Sequence, residues 1–245
     1  MSLPGTLRRS AQEVMPDWPK ILGDLAENTR DERLARFYRA GTVSADTPLE
    51  QVPLVALDVE TTGLDCRRDS IVSLGLVPFS LTRVRCREAA YWVVKPQCEL
   101  SSQSVTFHHI THSAIRDAPR LAGVLDELLA AMAGKVMVVH YRNIERGFLD
   151  QALRQQLGEG LQFPVIDTMQ LEARLHPRKR RPGWLRQMLG KESVSIRLAD
   201  SRLRYGLPLY QAHHALTDAL ATAELLQAQV ARHYAPTTPV GELWS

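Results

Sequence analysis

The chain has 245 residues, a net charge of +3, 44% hydrophobic and 23% charged side chains, which is ordinary for a soluble globular protein and long enough to build a core without staples. Its three cysteines, Cys66, Cys86 and Cys98, form no CxxC pair, which argues against a disulfide framework or a cysteine-based zinc site and fits a reducing compartment. The opening MSLPGTLRRSAQE lacks an apolar signal core and no apolar run is long enough to span a bilayer, so the expectation is a cytoplasmic protein with no membrane partner.

Along the chain, residues 1–50 read as a polar, helical N-terminal extension in which LARFYRAG carries apolar residues at helical spacing and Gly41 ends the helix. No chemistry declares itself there, and the segment either packs on the domain or docks a protein partner. Residues 51–235 alternate. PLVALDVE is a strand. DSIVSLGLVPF and AAYWVVKP are two more, joined through the charged TRVRCRE as an antiparallel hairpin. RLAGVLDELLAAMAG is a helix, because Leu121, Val124, Leu125, Leu128, Leu129 and Met132 form one apolar stripe that ends at Gly134. KVMVVHY is a buried strand, IERGFLDQALRQQLG a helix, FPVIDT a strand, and ALTDALATAELLQAQVARHY the last helix. Residues 236–245 read as an irregular tail. Strands first as a hairpin set, then alternating with helices, predict an α/β fold with a mixed sheet whose functional groups gather at strand ends. No internal repeat is visible.

The charge is uneven. From Arg174 to Arg204 there are ten Lys or Arg against two Asp or Glu, a local +8 that leaves the rest of the chain acidic. Such a run suits a phosphate-rich partner, or is a solvated basic face. Trp184 lies within it, as a stacking platform or a core anchor.

Two carboxylates, Asp58 and Glu60, interrupt the strand VALDVETTGL. Residues two apart on a strand share a face, so the pair projects together while Val55, Leu57 and Val59 pack behind it. Adjacent carboxylates repel unless a proton or cation separates them, and a hard divalent ion is the simplest remedy. Thr61, Thr62 and Gly63 follow as a turn able to approach a ligand. Far along the chain, HHALTDA puts His213, His214 and Asp218 at the start of an Ala- and Leu-rich helix, where the helix dipole favours an acid. His108 and His112 have zinc-like spacing, but with no HExxH motif and no cysteine partner they read as structural or substrate-facing.

Taken in order, VALDVETTGL, VTFHHIT, VVHYRNIERGFL, VIDTMQLEARL and HHALTDALATAELL resemble the motifs of the DEDDh 3′–5′ exonucleases, relatives of the epsilon proofreading subunit of bacterial DNA polymerase III. The resemblance covers residues 52–232. It implies an RNase H-like fold with a mixed five-stranded sheet flanked by helices. It also implies a two-metal-ion hydrolase, using Mg²⁺ or Mn²⁺, that releases nucleoside 5′-monophosphates from the 3′ ends of single-stranded DNA or RNA. By the family pattern Asp58, Glu60 and Asp218 hold the metals and His213 sits where the general base lies. Thr61, Thr62, Gly63 and Leu64 line the pocket of the terminal nucleotide, and Phe107, His109 and Ile110 face its base. Asp167 reads as a buttress of the sheet end. The second motif departs from the pattern: Tyr141 replaces the usual Asn, Ile144 the usual Phe, and Glu145 the usual metal-binding Asp. Glu145 keeps the charge but adds one methylene, about 1.5 Å of reach, and octahedral Mg²⁺ tolerates such shifts poorly. The expectation is a working site with altered metal preference. The alternative is a catalytically weakened nucleic-acid-binding relative, serving as an accessory subunit of a polymerase or repair complex.

Overall fold

A computed structural model describes residues 15–97, 115–176 and 194–245. Six strands, β1 (Leu54–Thr61), β2 (Ile71–Ser80), β3 (Arg83–Val84), β4 (Ala90–Val93), β5 (Val136–Val139) and β6 (Val165–Asp167), form one mixed sheet in the order β3-β2-β1-β5-β6, with β4 also on the outer edge of β2. The expected β2–β4 hairpin is present, with Leu74 opposite Trp92. The strand beyond the expected five is the two-residue β3, formed where Arg83 and Val84 pair with Ser80 and Phe79 inside the charged connector.

Seven helices flank the sheet among the described residues: α1 (Trp18–Asn28), α2 (Glu32–Arg39), α3 (Leu121–Met132), α4 (Arg142–Leu157), α5 (Thr168–Leu175), α6 (Leu198–Arg204) and α7 (Ala215–His233). The α3 stripe read from the sequence is buried at every one of its six positions. None of these helices is long and apolar enough to cross a membrane.

Strand β1 lies centrally because it is apolar on both faces at its start. It pairs antiparallel with β2 and parallel with β5, and Leu54, Val55, Ala56 and Leu57 are all buried. The same core takes in Trp18, Leu22, Leu34, Phe37 and Tyr38 from the N-terminal helices. Asp17 and Asp31 cap α1 and α2, and the Tyr38 hydroxyl donates to the Gly160 carbonyl at 3.1 Å. At the other end of the chain Val240, Leu243 and Trp244 are fully buried. The Ser245 N–H donates to the Val165 carbonyl at 2.8 Å, so the last residues cover the open edge of β6.

Helix α7 crosses β2 and β1, and one glycine sets how closely. Gly75 of β2 lies opposite Asp58 of β1. A Cβ at Gly75 would come within 2.4–2.5 Å of backbone atoms of Ala215 and Leu216 at the start of α7. The missing side chain is what lets the helix backbone settle against the strand beside Asp58. Gly75→Ala is therefore expected to destabilise the fold by about 1–3 kcal/mol or more through overpacking. Urea unfolding monitored by circular dichroism measures the loss.

Candidate active site and metal centre

The pleat of β1 turns Asp58 and Glu60 to one side, and Asp218 reaches them from the first turn of α7. One carboxylate oxygen from each lies within 4.8 Å of the other two, and among the described residues this is the one such group of acids, histidines or cysteines. Burial, and then the charges of Glu145, Glu60 and Asp218, push the Asp58 carboxyl well above the usual carboxylate range. Burial also raises Asp218, against the His213 backbone N–H that donates to its Oδ2 at 2.8 Å.

Glu145 stands apart from these three. It lies in the first turn of α4, is only 2% exposed, and burial raises its carboxyl well above the ordinary range. Its Oε2 has no hydrogen-bond partner among the described residues. A divalent cation fits this environment: the donors are all carboxylate oxygens, their charges repel, and one buried oxygen is unsatisfied.

Asp167 is the expected buttress, and its hydrogen bonds show how. The buried carboxylate accepts the backbone N–H groups of Tyr141 (3.1 Å) and Arg142 (3.0 Å) at the start of α4. It also accepts those of Met169 (3.0 Å) and Gln170 (3.3 Å) at the start of α5. One acid thus caps two helices and holds the helix that carries Glu145. His140, the first residue after β5, bridges Thr168 Oγ1 (2.8 Å) and the Ile196 carbonyl (3.0 Å), and burial holds its imidazole down at about 4. It is neutral at physiological pH and serves as a tie between segments.

The two adjacent histidines separate clearly. The His214 ring stacks on Tyr91 of β4 at 4.8 Å, and its carbonyl accepts the Asp218 N–H. His213 is exposed, with a left-handed backbone (φ 68°) beside the acid group. In the turn after β1, Thr61 Oγ1 donates to the Gly63 carbonyl (2.6 Å). Thr62 Oγ1 donates to Asp69 (3.3 Å) and accepts the Ser70 N–H (3.0 Å). Both hydroxyls therefore shape the turn itself. A Cβ at Gly63 would displace the Asp69 carboxylate from its present place, and Leu64 projects with 85% exposure. Phe107, His108, His109, Ile110, His112, Trp184 and residues 177–193 of the basic run lie outside the described residues.

Two contributors escaped the sequence reading. Gly75 carried a signal, since an isolated glycine inside a strand pattern marks a close backbone approach. The left-handed turn at Tyr141 (φ 101°) carried none, because a tyrosine does not announce such a backbone.

A model of the RNase T-type exonuclease family matches residues 55–226. The chain is 29% identical over 213 residues to the PolC-type DNA polymerase III of Oceanobacillus iheyensis, a match covering 87% of this chain and 14% of that polymerase. It is 27% identical to the DNA polymerase III epsilon subunit of Treponema pallidum, over 75% of this chain and 79% of the subunit. The solved structure of exonuclease X in complex with 5′ overhanging duplex DNA shares the fold, with a TM-score of 0.58, 20% identity, and coverage of 78% of this chain and 99% of that one. The nuclease domain of 3′hExo, a DEDDh family member bound to rAMP, superposes with a TM-score of 0.59 at 13% identity, covering 73% and 92% of the two chains. The fold is RNase H-like and the chain belongs to the DEDDh 3′–5′ exonuclease family, a class of phosphodiester hydrolases.

Raised carboxyl groups bind protons more tightly folded than unfolded, so in the metal-free protein the contribution of these three groups to stability is fully present below the ordinary carboxylate range and is lost as pH rises through the raised values. In EDTA the melting temperature is expected to rise between about pH 7 and about pH 5, the upper edge of the ordinary carboxylate range. Saturating Mg²⁺ or Mn²⁺ at pH 7 raises it too, by about 2.7 kcal/mol of stability at a hundredfold excess over Kd. Differential scanning calorimetry checks both; no metal response would remove the assignment of this cluster.

Proposed function

We propose that the chain is a metal-dependent 3′→5′ exonuclease that releases nucleoside 5′-monophosphates from single-stranded DNA or RNA ends. The observation that carries this reading is the convergence of Asp58, Glu60 and Asp218 from two distant segments, with exposed His213 bonded through its backbone to Asp218. Asp58, Glu60, Asp218 and Glu145 would hold two Mg²⁺ or Mn²⁺ ions, which supply charge stabilisation for the phosphoryl oxygens and a more acidic attacking water. A ring nitrogen of His213 accepts the proton of that water, and His214 is held back by its stack on Tyr91. The Thr61–Leu64 turn presents Leu64 to the terminal base, with His109 assigned to the same nucleotide by the family pattern.

The polymerase names of the relatives support a place beside a replicative or repair polymerase in the cytoplasm. The inner faces of α1 and α2 are already used in the core, so a partner docking through residues 1–50 would use their outer faces. The weakened, binding-only reading is favoured by one observation: Glu145 lies outside the three-acid group.

With 5′-labelled single-stranded oligonucleotides, Mn²⁺ or Mg²⁺ should produce a ladder that shortens from the 3′ end. EDTA should abolish it, and Asp58→Ala should lower the rate on the order of 10²-fold or more. His213→Ala is expected to cost about 10²–10⁴-fold in kcat while the metal-induced rise in melting temperature persists, and His214→Ala far less. An inert parent protein that still binds the oligonucleotide would favour the binding-only reading.

Glu145→Asp restores the family's shorter acid. It is expected to raise the Mg²⁺-supported rate relative to the Mn²⁺-supported one, since the smaller ion with near-ideal octahedral demands gains most from the change. Parallel metal titrations of the two proteins measure the ratio.

A further inference from the structure

Two exposed apolar side chains belong to the segments that build the acid cluster: Leu64 after β1, and Tyr141 between β5 and α4. Tyr141 has a left-handed backbone, φ 101° and ψ 73°, which glycine and asparagine adopt readily and a bulky aromatic residue does not. The residue is 43% exposed, and its hydroxyl has no hydrogen-bond partner and its ring no aromatic partner among the described residues. The conformation is enforced from below, where Asp167 accepts the consecutive N–H groups of Tyr141 and Arg142.

The position is set by the sheet. The β1–β5 register pairs Ala56 with Val138. Extended two residues past that last pair, the register would set His140 level with Asp58, so the chain leaves the sheet at Tyr141 at the sheet end that carries the acid pair. Tyr141 also stands one helical turn before Glu145, whose charge reaches Asp58. The only other non-glycine residue with positive φ among the described residues is His213, just ahead of the other helix that delivers an acid. Strained backbone at such a place is retained where it serves function.

An exposed aromatic face beside a site that hydrolyses nucleic-acid ends matches the flat face of a nucleobase, and stacking of this kind tolerates any sequence. We infer that Tyr141 is a stacking platform for a base of the bound single strand next to the scissile phosphate. This base contact stands where the family pattern has an asparagine that could not provide it. The inference rests on the exonuclease reading for its substrate class.

The test compares Tyr141→Asn and Tyr141→Phe with the parent in the full chain. Binding of 5′-fluorescein oligo(dT), and of an equal-length oligonucleotide carrying abasic residues through its 3′ end, is read by anisotropy with Ca²⁺ present. Melting temperatures are read alongside, with KM and kcat in Mn²⁺. Tyr141→Asn should melt at or above the parent, because asparagine accepts the left-handed backbone. It should lose about tenfold in affinity for oligo(dT) and raise KM, with no change on the abasic strand, while Tyr141→Phe retains the parent's affinity. Unchanged oligo(dT) binding by Tyr141→Asn, an equal loss on the abasic strand, a matching loss in Tyr141→Phe, or a marked drop in melting temperature would each overturn the stacking role. A parent that binds without turnover would overturn the exonuclease reading, and the two binding comparisons would still decide the role of Tyr141.

Discussion

Carboxylates repel one another, and the arrangement of this domain is organised around holding several of them together where water is scarce. Three separate devices do it. The period of β1 sets Asp58 and Glu60 on one face. Gly75 admits the backbone of α7 close to β2, opposite Asp58, and so delivers Asp218. Asp167 caps α4 and thereby positions Glu145. A cation in the middle would turn the mutual repulsion into a shared attraction, and the upward shift of the buried carboxyl groups points the same way.

The two helices that bring acids to the site begin in related ways. Both Glu145 and Asp218 lie in the first turn of their helix, where the dipole favours a negative charge. Each helix follows a residue forced into the left-handed region, Tyr141 before α4 and His213 just ahead of α7. In both cases a carboxylate accepts that residue's backbone N–H, Asp167 in one and Asp218 in the other. Strain of about 1–3 kcal/mol at each such position is tolerable only where the surroundings over-determine it. Here the over-determining groups belong to the site or support it.

Around the catalytic half, polar ties join elements distant in sequence. Glu172 is fully buried on α5, and burial alone would raise its carboxyl; hydrogen bonds from Arg204, Gln229 and Tyr205 outweigh that and hold it below the ordinary range. Arg204 reaches on to the Ser195 carbonyl, and His140 to that of Ile196, so the chain returning from the basic run is fastened to the sheet end and to α7. Arg202 is buried beneath Tyr210, 4.5 Å from its ring, and bonds both Glu224 and the Pro208 carbonyl, which steadies the loop leading to His213.

Much of this was legible in residue order. The α3 stripe, the apolar start of β1, the β2–β4 hairpin and the shared face of Asp58 and Glu60 follow from periods of 3.6 and 2, which need no knowledge of the rest of the molecule. Asp167 could be read as a buttress because an acid at a strand end ahead of a helix is a natural cap. The choice between His213 and His214 could be framed by spacing, but the difference between them rests on the stack with Tyr91, more than a hundred residues away. The burial of the N-terminal helices and of Trp244 in one core, and the left-handed backbone of Tyr141, had no local signature.

The sequence by itself determined which elements form and that acids able to hold a metal lie on them, because secondary structure and side-chain chemistry depend on residue type at short range. Only the tertiary structure decided which acids meet, that Glu145 lies outside the group of three while its charge still acts on Asp58, and that Tyr141 is left exposed. Those outcomes turn on how near one backbone can come to another, as at Gly75 and Ala215, and that distance is set by the packing of segments far apart in the chain.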